Sequence, residues 1–477
     1  MRLPLKRCAK VRNGKGSALL VSLVCQLLFA TSARSEDILP LERLYLENGI
    51  PVDMAPYQAD NQVRISLIVN AGNATDLTVP LMTFPRALSF MRWGGTERAA
   101  TISNTLVREK AGMSTSCGPS VCFVDLLAEI DTVDGALQLM SDMVLRPIFE
   151  QDDFIEIREQ TVEQFRTEVP MDNLPISMLL EYLYGRDHPL RREQPDTMAV
   201  EQFEALTLDQ MVATYRRWMR PDNVRFAAIG NIPSKELLSL LNRHFGHWER
   251  PNSPLATSAV PKFVKQTEPR VFLLHSPGLR RAMVAVGGAA PITGADRQDF
   301  ASAAAFLAIL NSRLKSFLLD SQRSTYGRNK MLFSPWGLCP DLQFDAANDD
   351  LGAVLKQVKG EIDALTQSRP PTARELAGAL NQERSIYAHL VDPKIGQRIA
   401  FHVQRQVFGF TDHPYERVNQ QIPAVTAATV QNALANLEID HALTWVIVGD
   451  VPKIEAQVRA LNLGRLTVEP AATKSTQ

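Results

Sequence analysis

Hydrophobic residues recur along the chain at the spacings that predict helices and buried strands. Six apolar residues at intervals of mostly three or four positions form one stripe, which predicts a helix over Leu351–Gln367 with one face in a core. A similar stripe predicts a helix over Thr372–Leu390. The apolar runs Phe226–Gly230 and Trp445–Gly449 predict buried strands, and a proline shortly after each run favours the start of another helix.

These two strands belong to an internal repeat with a separation of 219 residues. The segment Phe226–Pro233 matches Trp445–Pro452 without a gap, and the helix starts at Leu206 and Val425 keep the same separation. Earlier elements match more loosely. The looser matches are Val63–Ala71 with Arg281–Ala290, Asp134–Leu145 with Leu351–Gln367, and Asp152–Glu168 with Thr372–Leu390.

The repeat predicts two homologous domains of the α+β class. Each copy reads as strand, helix, hairpin, two helices, strand and helix, so each predicts a largely antiparallel sheet covered by helices. A segment rich in proline and small polar residues marks the join. The predicted boundaries are 1–33 for a signal peptide, 34–250 for the N-terminal domain, 251–269 for a linker, 270–467 for the C-terminal domain and 468–477 for a disordered tail.

Composition and charge place the chain among exported globular proteins. Hydrophobic residues make up 45% and charged residues 22% of the chain, as in folded soluble proteins. Six basic residues precede the uncharged run Ala18–Ala30, which is too short to span a membrane and predicts a secretory signal peptide. The mature chain is therefore expected in the periplasm or outside the cell, with no membrane span. Cleavage changes the net charge from −1 to −7, which disfavours a nucleic-acid partner.

Three of the five cysteines lie after the signal peptide. Cys117 and Cys122 flank a turn sequence, Gly118–Val121, between two extended segments. In an oxidising compartment this spacing allows a hairpin disulfide, and the sequence is equally compatible with two unpaired buried thiols. Three cysteines are too few and too scattered for a zinc knuckle.

The best-defined short motif of the mature chain is Phe84–Thr96, which reads as a helix that runs into the turn Gly94-Gly95. The other motifs are Leu46–Val52, Val69–Gly72, Leu145–Phe149, Asp187–Leu190, Pro221–Asn223 and Phe245–Trp248. In type and order these motifs resemble the pitrilysin/insulinase family of zinc metallopeptidases, in the short-subunit branch that includes mitochondrial processing peptidase.

The resemblance implies a metal site that this chain has lost. Family enzymes bind zinc through two histidines of an inverted His-x-x-Glu-His helix and a glutamate on a later helix. Aligned on the glycine turn, the three helix positions read Arg86, Ser89 and Phe90, and the later glutamate corresponds to Gln164, although Glu163 and Glu168 blur the register. Arginine and phenylalanine cannot ligate zinc, and serine is a poor general base. The resemblance thus implies a degenerate, non-catalytic member without zinc.

A second family feature is an arginine and a tyrosine, seven residues apart, that hold the substrate backbone. Tyr326 stands at the tyrosine position, but the arginine position reads Leu319. Arg323 is a candidate substitute because it precedes Tyr326 by three residues. Tyr326 and Arg323 are therefore the predicted substrate-binding residues.

Three functions remain open from the sequence. The first is a non-catalytic subunit that pairs with a zinc-bearing homologue and encloses a peptide or unfolded protein. The second is a metallopeptidase with an altered or relocated zinc site, for which the only histidine cluster is His244 and His247 near Glu249. The third is a scaffold or binding protein with no role in proteolysis. Motifs for nucleotide binding or serine hydrolysis are absent from the sequence.

Overall fold

The β-strands form two six-stranded sheets, one from each half of the repeat. The computed structural model describes residues 42–56, 61–93, 96–168, 173–192, 197–256, 265–290, 300–320, 322–325, 327–334, 337–390 and 414–470. The predicted signal peptide, residues 1–33, lies outside this described part.

The first sheet has the strand order β1-β2-β6-β3-β5-β4. Alternate residues of β3, namely Val63, Ile65 and Leu67, lie in the first hydrophobic core, as expected for a strand with one face on a core. The strands are β1 (Glu42–Tyr45), β2 (Pro51–Pro56), β3 (Gln62–Val69), β4 (Gly112–Cys117), β5 (Cys122–Glu129) and β6 (Val224–Gly230).

Helices of the first half include those that cover the inner face of this sheet. Their apolar faces and the strands share one buried cluster. The helices are α1 (Thr83–Trp93), α2 (Thr96–Arg108), α3 (Val133–Leu145), α4 (Gln151–Glu168), α5 (Leu174–Tyr184), α6 (Pro189–Arg192), α7 (Thr197–Glu204), α8 (Leu208–Trp218) and α9 (Ser234–Phe245).

The second half repeats the arrangement with the order β12-β7-β11-β8-β10-β9. Its strands are β7 (Arg270–His275), β8 (Arg281–Gly287), β9 (Gly327–Ser334), β10 (Gly337–Ala347), β11 (Thr444–Gly449) and β12 (Arg465–Pro470). Its helices are α10 (Phe300–Lys315), α11 (Leu351–Asp363), α12 (Ala373–Leu390), α13 (Pro414–Gln421), α14 (Ala427–Gln431), α15 (Ala433–Asn436) and α16 (Val451–Ala460).

The predicted α+β class with two homologous halves is confirmed. Position by position, β6 in the first sheet corresponds to β11 in the second, and β3 corresponds to β8. Most neighbouring strands are antiparallel, as predicted. The first sheet also contains one parallel pair, β2 with β6. In the second sheet, β7 pairs in parallel with both β11 and β12. The sheets are therefore mixed.

Helix α5 departs from the predicted division of the chain. Although it lies within 34–250, it packs on the outer face of the second sheet, in one buried cluster with residues of β7, β8, β10 and β11. Tyr184 donates a 2.8 Å hydrogen bond to the Leu338 carbonyl, and the ring of Tyr182 stacks 3.5 Å from that of Phe272. The two halves are thus joined by a helix of the first half that packs on the second sheet, and both belong to one unit, residues 43–477.

Two other features refine the prediction. Strand β12 continues to Pro470, so the boundary predicted at residue 467 falls inside a strand because β12 pairs with β7 along its whole length. Within the described residues, one helical stretch, Phe300–Leu319, is long and apolar enough for a membrane span by composition. Half of that stretch is buried in the fold, as in a core helix of a globular protein.

Candidate functional site

Helix α1 carries the three positions at which the resemblance places two zinc-binding histidines and the glutamate between them. Ala87, Leu88 and Phe90 are fully buried on one face, at the helical spacing that directs them to the core. Arg86 and Ser89 are half-buried and lie three residues apart, so they share the opposite edge of the helix.

Arg86 lies next to Gln164, the position predicted for the third ligand. The Nη2 of Arg86 donates a hydrogen bond to the Oε1 of Gln164, which joins α1 to α4 across 78 residues of sequence. Glu163 is exposed and Phe165 is buried, so the turn of α4 presents Gln164 to α1. The structure therefore brings together two residues that the sequence analysis singled out separately.

Phe90 has no access to this polar contact. Its ring packs 5.0 Å from the ring of Phe149, which in turn lies 5.4 Å from the ring of Tyr215. The buried hydroxyl of Tyr215 donates to the carbonyl of Val144. The second histidine position of the motif is thus filled by an aromatic cluster whose polar group is already satisfied.

A buried carboxylate fixes the loop that enters α1. Asp76 accepts a 2.8 Å hydrogen bond from the Nε1 of Trp218. It also forms an ion pair with Arg217, whose Nη1 lies 3.1 Å from the Oδ2 of Asp76. Both partners lie on α8. Arg192 donates to the carbonyls of Asp76 and Val79 at 2.8 and 2.5 Å. Burial lowers the pKa of Arg192, while Asp76 and Asp187 act to raise it. The approach to α1 is therefore held from α6 and α8.

A disulfide joins Cys117 and Cys122 at the end of the β4–β5 hairpin. The carbonyls of Gly118 and Pro119 in its turn accept hydrogen bonds from the Asn73 and Ala74 amides at 2.9 and 3.0 Å. A side chain at Gly72 would collide with this turn, because a Cβ there would lie 2.3 Å from the Gly118 carbonyl oxygen. The turn thus braces the same loop that leads to α1.

The predicted substrate-binding pair lies in the second half. Tyr326 falls outside the described residues. The guanidinium of Arg323 lies 4.9 Å from the centroid of the Phe317 ring, a cation–π arrangement, and its carbonyl accepts a hydrogen bond from Arg281. Leu319, at the expected arginine position, packs against the second core.

Asp345 holds the segment that contains Arg323. Its carboxylate is buried and accepts hydrogen bonds from Arg281, the Ser324 hydroxyl and the Thr325 amide, the last two at 2.7 and 2.6 Å. Burial acts to raise the pKa of Asp345, but these donors outweigh it and the pKa lies below its ordinary value. The carboxylate is therefore charged and anchors the loop before β9.

The residues at the degenerate positions do not fit zinc. They offer a guanidinium, a hydroxyl, a phenyl ring and a carboxamide where nitrogen and carboxylate ligands are needed. No group of three or more potential ligands among His, Cys, Asp and Glu occurs in the described part of the chain. At the relocated site considered from the sequence, the Nε2 of His244 lies 2.7 Å from the Oδ1 of Asp134.

Sequence reasoning missed the residues that support the site from a distance. Asp76, Arg192 and Asp345 form their contacts with residues far away in the chain, and no short motif contains them. One signal was available for α5. Its sequence is apolar on nearly every side, and such a helix is typically buried between two layers.

The chain is similar to one protein family and to several known proteases. The family described as "Peptidase M16 inactive domain" matches residues 205–383. The zinc protease PqqE of Helicobacter pylori is 22% identical over 426 residues, which cover 84% of this chain and 90% of that protein.

Two solved structures share the fold. One is a peptidase M16 inactive domain from Pseudomonas fluorescens, with a TM-score of 0.68, 17% identity, and coverage of 86% of this chain and 98% of that chain. The other is the periplasmic protease PqqL from Escherichia coli, with a TM-score of 0.70 and 15% identity. That match covers 86% of this chain and 45% of the PqqL chain. Residues 205–383 thus match a peptidase M16 inactive domain, and the chain is homologous to PqqE- and PqqL-like proteases, which confirms its resemblance to the pitrilysin/insulinase family.

Proposed function

We propose that this chain is an exported, non-catalytic member of its family that holds an extended peptide and pairs with a zinc-bearing homologue. The zinc-bearing subunit would cleave the peptide, and this chain would enclose and present it. The alternatives are a metallopeptidase with an altered metal site and a scaffold with no part in proteolysis.

The residues at the degenerate positions support the loss of catalysis. In place of metal ligands, α1 and α4 are linked by the Arg86–Gln164 hydrogen bond, and Phe90 is sealed in the core. A cation at the first ligand position opposes a divalent metal by charge as well as by its lack of a lone pair. The scaffold is retained while the chemistry that activates water is absent from these four positions.

The observation that carries the peptide-holding role is the edge strand β4. Of the four edge strands, β1, β9 and β12 carry charged residues, and β12 also ends in Pro470. Such residues protect an edge against further pairing. Strand β4 reads Gly-Met-Ser-Thr-Ser-Cys and contains none of them. An uncharged edge of six residues suits the addition of an extended peptide as a further strand.

The hydrogen-bond alternation of the hairpin identifies the free backbone groups of β4. Gly118 donates to the Val121 carbonyl at 2.8 Å, so residues 118 and 121 form a hydrogen-bonded pair. Pairs alternate in an antiparallel ladder, so Ser116, Ser114 and Gly112 also point their backbone groups at β5. Met113 and Thr115 then direct their amides and carbonyls to the open edge of the sheet, where no strand among the described residues pairs with β4.

Export and partnership are inferred from separate observations. The basic and apolar N-terminal segment has the features of a secretory signal, and PqqL is described as periplasmic. PqqL is also about twice as long as the matched region, so one chain there contains more than this chain provides. We infer that a separate zinc-bearing subunit pairs with this chain.

A proline at Thr115 tests the peptide-holding role. Thr115→Pro removes an outward amide, and proline is tolerated where an edge amide faces solvent. We expect it to weaken binding of a fluorescein-labelled unfolded 20-residue peptide at least about tenfold, because a strand pair depends on these bonds. Thr115→Val keeps the amide and is the matched control. Equal binding by wild type and Thr115→Pro would contradict the role of β4.

Pairing is tested by co-expression with an M16 homologue that retains His-x-x-Glu-His. We expect the two chains to co-purify, the complex to cleave the labelled peptide, and zinc to be stoichiometric with the homologue alone. Stoichiometric zinc in this chain, with chelator-sensitive cleavage, would favour the altered metallopeptidase. A monomer that leaves the homologue's cleavage rate unchanged would exclude the paired role.

A further inference from the structure

The outer face of β4 has a gap at Gly112. Side chains on this face pair across β4 and β5 as Lys110 with Glu129, Gly112 with Leu127, and Ser114 with Asp125. We refer to the space above Gly112, floored by Leu127, as the Gly112 notch. It lies at the first residue of β4.

The notch exists because Gly112 contributes no side chain. A Cβ built on Gly112 would find no atom within 4 Å, and its backbone is not in the left-handed region that requires glycine. Leu127, its direct partner on β5, is 43% exposed. The glycine is thus not needed for backbone reasons, and its effect is to leave an apolar side chain uncovered at the open edge.

Charge around the notch is balanced. On one side, the Nζ of Lys110 lies 2.9 Å from the Oε2 of Glu129. On the other side, the Nε of Arg64 lies 3.8 Å from the Oδ1 of Asp125. Each charge near the notch has a partner of opposite sign, so a charged side chain placed between the pairs would gain no counterion. A neutral, apolar side chain is the complementary occupant.

An added strand would place a side chain over the notch. Gly112 points its backbone groups at β5, so its position opposite an added strand is a non-hydrogen-bonded one, where side chains approach most closely. Adjacent strands lie about 4.8 Å apart, which leaves Leu127 two spacings from the added strand. Only a large side chain spans that gap, and the missing Cβ of Gly112 lets it pass. Aromatic residues cover edge glycines in this way.

We propose that the Gly112 notch is a specificity subsite that selects an aromatic or large aliphatic residue in the bound peptide. The subsite rests on the proposed peptide-holding function of β4 and defines its substrate class. The chain would take extended segments that carry one large apolar residue among polar ones. Such segments are exposed in unfolded proteins and buried in folded ones.

The test uses labelled 12-residue peptides with a polar threonine and glutamine host and one central guest residue. The guests are phenylalanine, leucine, alanine and glutamate, and fluorescence anisotropy gives the dissociation constants. Cross-strand aromatic–aliphatic pairs favour a guest over alanine up to about fivefold. We expect phenylalanine to bind tightest, followed by leucine, with glutamate no better than alanine.

Two variants connect the preference to the notch. Leu127→Ser removes its apolar floor, and Gly112→Val fills it with a residue that suits a strand. In each we expect the ratio of phenylalanine to alanine affinity to fall to about one. Val468→Ser removes an exposed apolar residue from edge strand β12 and should leave the ratio unchanged.

The outcomes separate the subsite from the function on which it rests. A phenylalanine preference that persists in both notch variants would overturn the subsite. Equal binding of all guests by wild type would also overturn it, while the role of β4 would stand if Thr115→Pro still lost binding. Failure of wild type to bind any guest would overturn both proposals.

Discussion

The two halves of the molecule connect equivalent helices with different chemistry. In the first half, α1 and α4 are joined by the neutral acceptor Gln164 and the guanidinium of Arg86. In the second half, α10 and α12 are joined by the ion pair of Arg313 and Glu375, at 2.7 Å. The side chain of Arg313 is 8% exposed and that of Glu375 is 25% exposed, so most of this ion pair is shielded from solvent. In both halves an arginine links the helices, so the fold does not depend on a metal for this connection.

The two sheets also differ in the charge of their equivalent edge strands. Strand β9 occupies in the second sheet the place of β4 in the first, and it carries Arg328 and Lys330. Strand β4 carries no charge. The second half thus combines an ionic contact between its helices with a charged edge strand, while the first combines a contact to a neutral acceptor with an uncharged edge strand. This contrast supports the proposal that the first half holds the peptide.

Loss of the second half's ion pair should have the largest effect. Arg313→Ala leaves the carboxylate of Glu375 without its main partner and removes the donors to the carbonyls of Arg369 and Pro370. We expect the free energy of unfolding in urea to fall by about 3 kcal/mol. Arg459→Ala, which breaks the exposed pair with Glu455, is the control and should cost less than about 0.5 kcal/mol. Equal losses in the two variants would contradict the importance of burial.

Acid should weaken the contact of α5 with the second sheet through His188. Burial lowers the pKa of His188 to about 4. The unfolded chain therefore binds this proton from about pH 6.5 downward, while the folded chain resists it until about pH 4. Stability from this residue is present above pH 6.5 and is lost as the pH falls through that window, by up to about 3 kcal/mol.

Thermal unfolding from pH 7 to pH 4 checks this prediction. His188 stacks on Tyr184 of α5 with ring centroids 4.7 Å apart, and its Nδ1 accepts the Leu190 amide at 3.3 Å. His188→Gln keeps an acceptor and has no proton to bind in this range. We expect its stability to decline less than that of wild type. Parallel curves would show that His188 does not control the acid response.

The Arg86–Gln164 contact should be worth less than the ionic contact. A double-mutant cycle of Arg86→Ala, Gln164→Ala and the double variant should give a coupling energy of about 1 kcal/mol, in the range of a hydrogen bond to a charged group that is partly solvated. Urea unfolding measures the three differences. Additive effects would mean that the hydrogen bond does not link α1 and α4 energetically.

The smallest expected effect is at Glu383 on α12. Its carboxylate is buried, and burial raises its pKa above the ordinary value. The folded state therefore holds this proton more tightly than the unfolded state, and stability is lost as the pH rises through the raised pKa. Glu383→Gln stays neutral, so it should be more stable than wild type at pH 8 by up to about 1 kcal/mol and equal to it at pH 4. Thermal unfolding at both values decides this.

Much of the fold could be predicted from local patterns. The stripe that begins at Leu351 predicts a helix, and α11 begins at that residue. The match of Phe226–Gly230 with Trp445–Gly449 predicts two equivalent central strands, which are β6 and β11. These features are encoded by residues close together in sequence, because helical and strand periodicities need only a few turns or residue pairs.

The candidate site was predictable in part. The sequence predicts Arg86, Ser89, Phe90 and Gln164 as counterparts of the metal site, but their assignment as degenerate ligands remains a prediction. It did not predict that Arg86 would bind Gln164, because the choice between Gln164 and Glu163 depends on how α4 is rotated about its axis. That rotation is set by buried neighbours such as Phe165.

The sequence by itself determined the repeat, the fold class and the residue types at the degenerate positions. Only the tertiary structure decided which distant residues meet. It placed α5 on the second sheet, Gln164 against Arg86, and Gly112 opposite Leu127 at an open edge. The physical reason is that periodicity is a property of neighbouring residues, whereas register, helix rotation and the sheet on which a helix packs are set by the packing of the whole core.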